Sequence, residues 1–314
     1  MSIQPLAAHA DWSVDPRKRW MTLATPTPSG WMVAAPEPVG PVETLFIRLT
    51  SRANGAPVAL GVDFPLGLPR AYAANHAATH ANFPDFLRAL HGTTEFFTVC
   101  TETHEISPTR PFYPAHSRAG VTRAELVNSL GLPSPAALYR ACDRATESRP
   151  AGAPLFWTLG PNQTGKAAIS AWRDLLSPAL NTKSPPLLWP FDGRLSDLLH
   201  PGRIAIAETY PAEALRLLGL KLPGSKRRQS DRAALSPTLH AAMADLPAQP
   251  TQDLATAIAN GFGADAAGED RFDSLLGLLN VLLVLEGKRP DVAPDDPILT
   301  TWEGWVLGQT DQPL

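Results

Sequence analysis

The chain has 314 residues, of which 44% are hydrophobic and 18% charged, with a net charge of −3. That length suits one large or two ordinary domains and a sizeable core. The charge balance excludes a global basic field, so contact with nucleic acid needs a local patch. The two cysteines, Cys100 and Cys142, show no CxxC spacing, which argues against a disulfide scaffold or zinc site and fits a reducing cytoplasm.

In chain order, "MSIQPLAAHADW" lacks the charged and apolar regions of a signal peptide. Residues 6–34 read as three short strands, with turns at "DPRK" and "TPTPSG". "PVETLFIRLTSRANG" reads as a helix closed by Asn-Gly, and "APVALGVDFP" as a buried strand stopped by Pro65. Residues 64–190 hold helical pieces ("PDFLRALHG", "TRAELVNSLG", "SPAALYRACDRA") among Pro-rich loops and read as an elaboration of the core. "RIAIAETYP" is a further strand and "AEALRLLG" a helix. "SKRRQSDRAALSPTLHAAM" and "TQDLATAIANG" read as helices, and "EDRFDSLLGLLNVLLVLEG" as the last long one. "TWEGWVLGQ" closes the chain as a short strand or tail. The longest apolar run, Leu275 to Leu285, is too short to span a bilayer, which needs about 20 residues.

Three strands carry an acid near a turn. Alternation in "VALGVDFP" puts Ala59, Gly61 and Asp63 on one face, so small neighbours leave Asp63 room for a ligand. Glu208 shares its face with Ile204 and Ile206, and a buried lone carboxylate is costly unless paired or metal-bound. Asp11 ends an Ala-rich strand, with Asp15 close behind as an alternative. In the last helix, Asp270 and Asp273 are three apart and share a face. Gly277 continues that row and would let the helix approach a sheet closely. Two readings stand side by side. Each acid can cap a turn or helix, with Asp270 as N-cap and Asp273 at the third position. Together they can form a carboxylate cluster for Mg²⁺ or Mn²⁺, hard cations that suit carboxylates, waters and phosphate. Two such ions about 4 Å apart would clamp a phosphodiester.

The order of elements, with acids on the first strand, the fourth strand and the last helix, resembles the RNase H-like fold, an α/β mixed sheet flanked by helices. "EDRFDSLLGLL" is similar to the terminal helix of RuvC-type Holliday-junction resolvases, where Asp-x-x-Asp-(Ala/Ser)-Leu supplies two metal ligands. The likeness implies Asp11, Asp63, Asp270 and Asp273 as the metal set, with Asp63 standing where the resolvases usually have Glu. "GVDFPLGLP", "AETYPAEALRLLG", "EDRFDSLLGLL" and "EGWVLGQ" resemble domain-of-unknown-function family 429, described as predicted RNase H-like nucleases. These likenesses imply one RNase H-like domain over 1–314, with 64–190 inserted between the fourth and fifth core strands. They imply a metal-dependent nuclease with nucleic acid as its partner. A homodimer is left open.

In that expectation Asp11, Asp63, Glu208, Asp270, Asp273 and Lys226 are catalytic. Lys166, Asn162, Gln163, Arg227, Arg228 and Arg232 would contact substrate, the basic cluster neutralising phosphates and Lys226 or Lys166 stabilising developing charge. Other readings compete. Gly160-x-x-x-x-Gly165-Lys166 approaches a phosphate loop, but Ala167 replaces the Mg²⁺-binding hydroxyl and Pro161 deletes an amide donor. An actin-like phosphotransferase would need two glycine-rich loops that are not found. A non-catalytic nucleic-acid or nucleotide binding protein is the main alternative. His76 and His80 are four apart, but lack a third ligand for zinc.

Overall fold

The structure, a computed structural model, describes residues 4–117, 121–160 and 164–313. The chain forms two compact units. One comprises Met1–Asp63, Arg194–Val292 and Val306–Gln309, the other Phe64–Gly193, Ala293–Trp305 and Thr310–Leu314.

The first unit is α/β. Its strands are β1 (Leu6–Asp11), β2 (Trp20–Thr27), β3 (Gly30–Val33), β4 (Glu37–Pro38), β5 (Val58–Val62), β6 (Ile204–Glu208) and β7 (Ala248–Pro250). They form one mixed sheet in the order β6-β5-β1-β2-β3-β7, with β4 beside β2. β1, β2 and β3 are an antiparallel meander, whereas β5 and β6 run parallel to β1. The parallel strands "LAAHAD", "VALGV" and "IAIAE" are buried at every residue, as a sheet covered on both faces requires. β7 carries no strand signal in "AQP". It forms because β3 offers a free edge, with Trp31 opposite Ala248.

Helix α1 (Leu45–Ala53) ends as the Asn-Gly pair dictates, with Asn54 left-handed at φ 48°. Helix α2 (Pro211–Leu217) follows β6 directly. The run 225–243 does not form the single helix expected. Residues 226–228 turn, α3 covers Gln229–Ala233, and α4 covers Ser236–Asp245 with Pro237 in its first turn. Proline has no amide to continue a preceding helix. Helix α5 spans Gln252–Ala259 and α6 spans Gly268–Leu285. Buried from Phe272 to Val284, α6 packs across β1, β2 and β5 and against α2.

Two glycines set how close α6 lies to the sheet. A Cβ at Gly277 would fall 2.1 Å from His9 Nε2, and one at Gly61 would fall 2.6 Å from Val281 Cγ2. Only hydrogen fits at either place. Residues 304–309 make no strand. Instead the Leu307 amide donates to the Glu208 carbonyl (2.8 Å), and Asn280 Nδ2 donates to the Leu307 carbonyl (3.0 Å).

The second unit takes in the expected insertion. Short helices, among them Arg70–His76, Phe83–Ala89 and Arg123–Ser129, are joined by irregular chain around an aromatic core that includes Phe83, Phe112 and Phe156. "SPAALYRACDRA" is not a helix but two short 3-10 turns, Pro135–Leu138 and Ala141–Asp143. Between them Arg140 is extended, so its buried guanidinium reaches Asp143 at 2.8 Å. Buried Glu303 accepts from Arg70 Nη2 (2.9 Å) and from the Ala141 amide (3.1 Å). Among the described residues no helix is long and apolar enough to cross a membrane.

Candidate metal centre

The parallel register brings two acids to one edge of the sheet. Ala10 pairs with Val62, and the Asp63 amide donates to the Ala10 carbonyl at 3.1 Å. Asp11 and Asp63 therefore leave neighbouring strands side by side, and each raises or modulates the other's protonation. Helix α6 brings Asp270 and Asp273 to the same place through its first two turns.

The capping role open to these acids is not the one they take. Ala267, not Asp270, is the N-cap of α6, and no side chain caps it. Asp270 Oδ2 and Asp273 Oδ1 are buried without a hydrogen-bond partner. Asp15 does cap a turn. It accepts from the Arg17 amide at 3.1 Å and pairs with the Arg17 guanidinium at 2.8 Å, which holds its carboxyl down at about 2. Asp11, not Asp15, is thus the first-strand acid that meets the others.

The electrostatics are those of crowded, desolvated acids. Burial raises the Asp11 carboxyl well above its usual range, and Asp273, Asp63 and Asp270 push it further. Asp63 is held up at about 7, by burial first and then by Asp273, while Lys226 opposes the rise. Burial takes Asp270 to about 6 despite Lys18 nearby. Asp273 is raised by burial as well, although Lys226 counteracts this. Lys226 is the internal counter-cation. Its ammonium donates to Asp273 Oδ2 and lies 3.6 Å from Glu269 Oε1. Burial disfavours its charge, but the surrounding carboxylates hold it protonated above the ordinary lysine range. Among the described residues no three of the four aspartates bring oxygens within 4.8 Å of one another.

The remaining expected residues are not equivalent. Glu208 is buried, but its register partner is Val62, so it lies on the sheet face opposite Asp63 and Asp11. Its charge still raises Asp63. Arg227 and Arg228 are exposed, and Arg227 Nε lies 3.8 Å from Glu269. Arg232, expected to meet substrate, is buried. Its guanidinium donates to the carbonyls of Lys226, Gly261 (2.8 Å) and Gly263 (2.7 Å), so it holds the Lys226 turn in place. Lys166 belongs to the second unit, in helix Thr164–Ala171. Asn162 and Gln163 lie outside the described residues. Gly165 of the phosphate-loop pattern is buried, where a Cβ would fall 2.5 Å from the Leu155 carbonyl oxygen. That glycine serves backbone packing. His76 Nε2 contacts the Leu130 carbonyl (2.8 Å), and His80 pairs with Asp85 instead (3.6 Å).

Sequence reasoning missed His9, Thr22 and Ser274. His9 Nδ1 bonds the Ser274 carbonyl at 3.1 Å, and Thr22 Oγ1 bonds Ser274 Oγ at 2.7 Å. The one available signal was a histidine inside an otherwise Ala-rich strand.

The four aspartates suit a hard divalent cation by chemistry. They offer oxygen donors only, and two of those oxygens are buried and unpartnered. No family model matches the chain, and no curated protein or solved structure matches it either.

Proposed function

We propose that the protein is a Mg²⁺- or Mn²⁺-dependent nuclease of RNase H-like fold. The observation that carries this reading is the meeting of Asp11, Asp63, Asp270 and Asp273 with buried carboxylate oxygens that nothing in the chain satisfies. Leaving such a group unpaired costs about 1–3 kcal/mol, more when it is charged, and a bound cation removes that cost. The fold reading is supported by the antiparallel β1-β2-β3 meander and parallel β5 and β6, with acids at the ends of β1 and β5 and at the start of the helix laid across them.

Asp11 and Asp63 would hold the ions from the sheet, and Asp270 and Asp273 from the helix. A bound divalent ion supplies Lewis acidity and a water that ionises near neutral pH. Lys226 places a fixed positive charge beside Asp273, where it can stabilise negative charge developing on a phosphodiester. Arg227 and Arg228, exposed next to it, offer guanidinium groups to flanking phosphates.

The test is cleavage of a panel of RNA, DNA and branched substrates with Mn²⁺ by wild type and Asp273→Asn. The reading expects cleavage by wild type and none by the variant. Activity that survives in Asp273→Asn would refute it. A second reading, a binding protein without catalysis, is favoured by one observation: Lys226 already neutralises Asp273 internally. Nucleic-acid binding without Mn²⁺, and no cleavage of any substrate, would select it.

A further inference from the structure

We propose that His9 is a positioning residue of the carboxylate centre: its imidazole fixes Ser274, and with it the first turns of α6, against the strand that carries Asp11. The proposal deepens the reading above, yet its first readout does not depend on it.

Three observations converge. The first is layering. His9 pairs across the sheet with Thr22 on one side and Gly61 on the other, so all three present one level of one face. Asp11 lies two residues on, at the next level of that face. The second is bonding. From this level two side chains reach the same residue of α6. His9 Nδ1 meets the Ser274 carbonyl (3.1 Å), and Thr22 Oγ1 meets the Ser274 hydroxyl (2.7 Å). A carbonyl only accepts, so Nδ1 carries the proton. Ser274 directly follows Asp273, so both bonds act one residue from a ligand. The third is space. The ring is fully buried, and a Cβ on Gly277 would overlap it at 2.1 to 2.3 Å. A Cβ on Gly61 would come 3.0 Å from its Cδ2. The chain has removed side chains from helix and strand at the places that admit the imidazole. His9 Nε2 is left without a partner, a cost borne at one nitrogen while the other makes the bond.

Leu and Asn separate the bond from the bulk. Leucine nearly fills the space of the ring but cannot donate. Asparagine is smaller, and its Nδ2 stands near where Nδ1 was. Amide hydrogen exchange along α6 would be measured for wild type, His9→Leu and His9→Asn in chelator, alongside Mn²⁺ affinity by calorimetry. In His9→Leu, amides at 273–278 should exchange about tenfold faster than in wild type, as expected for one lost hydrogen bond of about 1.4 kcal/mol. Amides at 280–285 of the same helix should change less. Mn²⁺ should bind about tenfold more weakly, as when an outer partner of a ligand is lost. His9→Asn should restore both toward wild type. Exchange in His9→Leu equal to wild type would overturn the proposal, as would a leucine variant closer to wild type than the asparagine one. If wild type binds no Mn²⁺, the nuclease reading falls, and exchange alone decides whether His9 positions α6.

Discussion

Replacing Asp63 by Asn tests whether the four aspartates act as one charged cluster. In the folded chain its carboxyl rises from the ordinary 3.8 to about 7, so above neutral pH the fold holds a charge it disfavours. At 1.36 kcal/mol per pKa unit, that rise corresponds to about 4 kcal/mol. Part of it belongs jointly to Asp11 and Asp273, and a buried amide keeps some desolvation cost. The expected gain is therefore about half, roughly 2 kcal/mol, or a Tm higher by about 4–8 °C at about 2–4 °C per kcal/mol. The carboxamide nearly matches the carboxyl in shape and volume, so little else changes. The sign with pH follows from the raised value. The folded state binds the extra proton, so the stability this carboxyl contributes is full below the unfolded pKa near 4 and is lost as pH rises through about 7. Thermal melts in chelator should show no gap between variant and wild type at pH 4 and the full gap at pH 8. Mn²⁺ at a hundredfold excess over Kd should reverse the order, since wild type gains about 2.7 kcal/mol and the variant less. A gap that ignores both pH and Mn²⁺ would refute the reasoning, because an acid with an ordinary pKa and no part in a metal site gives that result.

The other expectations differ in sign or place. Lys226→Met should destabilise the metal-free protein by about 1–2 kcal/mol, since it strands Asp273 at a site still partly screened by solvent. Mn²⁺ should narrow that deficit in denaturant titrations, and a deficit unchanged by Mn²⁺ would speak against shared occupancy of Asp273. Gly277→Ala should cost about 3 kcal/mol or more in the same titrations, because its methyl overlaps the buried His9 ring rather than a side chain free to move. A neutral result would mean that α6 can lift from the sheet. Lys166→Ala should leave Mn²⁺ binding by calorimetry intact, because an ammonium cannot ligate a cation; tight ATP binding abolished by that substitution would revive the phosphate-loop reading.

Much of this architecture follows from local pattern. Continuous apolar runs made β1, β5 and β6 buried strands, Asn54-Gly55 ended α1, and the apolar stripe after "GEDRFD" made α6 a core helix, because these signals depend on neighbours in sequence. The acids at the strand ends and at the helix start were legible for the same reason. Which acids meet was not. Asp63 and Glu208 each end a buried strand, but the parallel register turns one toward Asp11 and the other to the opposite face, and register is set by pairing across the sheet. Asp15 carries the same side chain as Asp11 four residues on, yet a nearby arginine holds it in a turn. Arg232 looked like a phosphate ligand beside Arg227 and Arg228, but tertiary packing buries it and its guanidinium donates to three carbonyls, two of them about 30 residues away. His9 and Gly277 carry no joint signal, since 268 positions separate them and only the docking of α6 on β1 makes one fill the space the other leaves. Local propensity and patterning chose the elements and put carboxylates at their ends. Long-range packing, which no short stretch encodes, decided which of those carboxylates share a site.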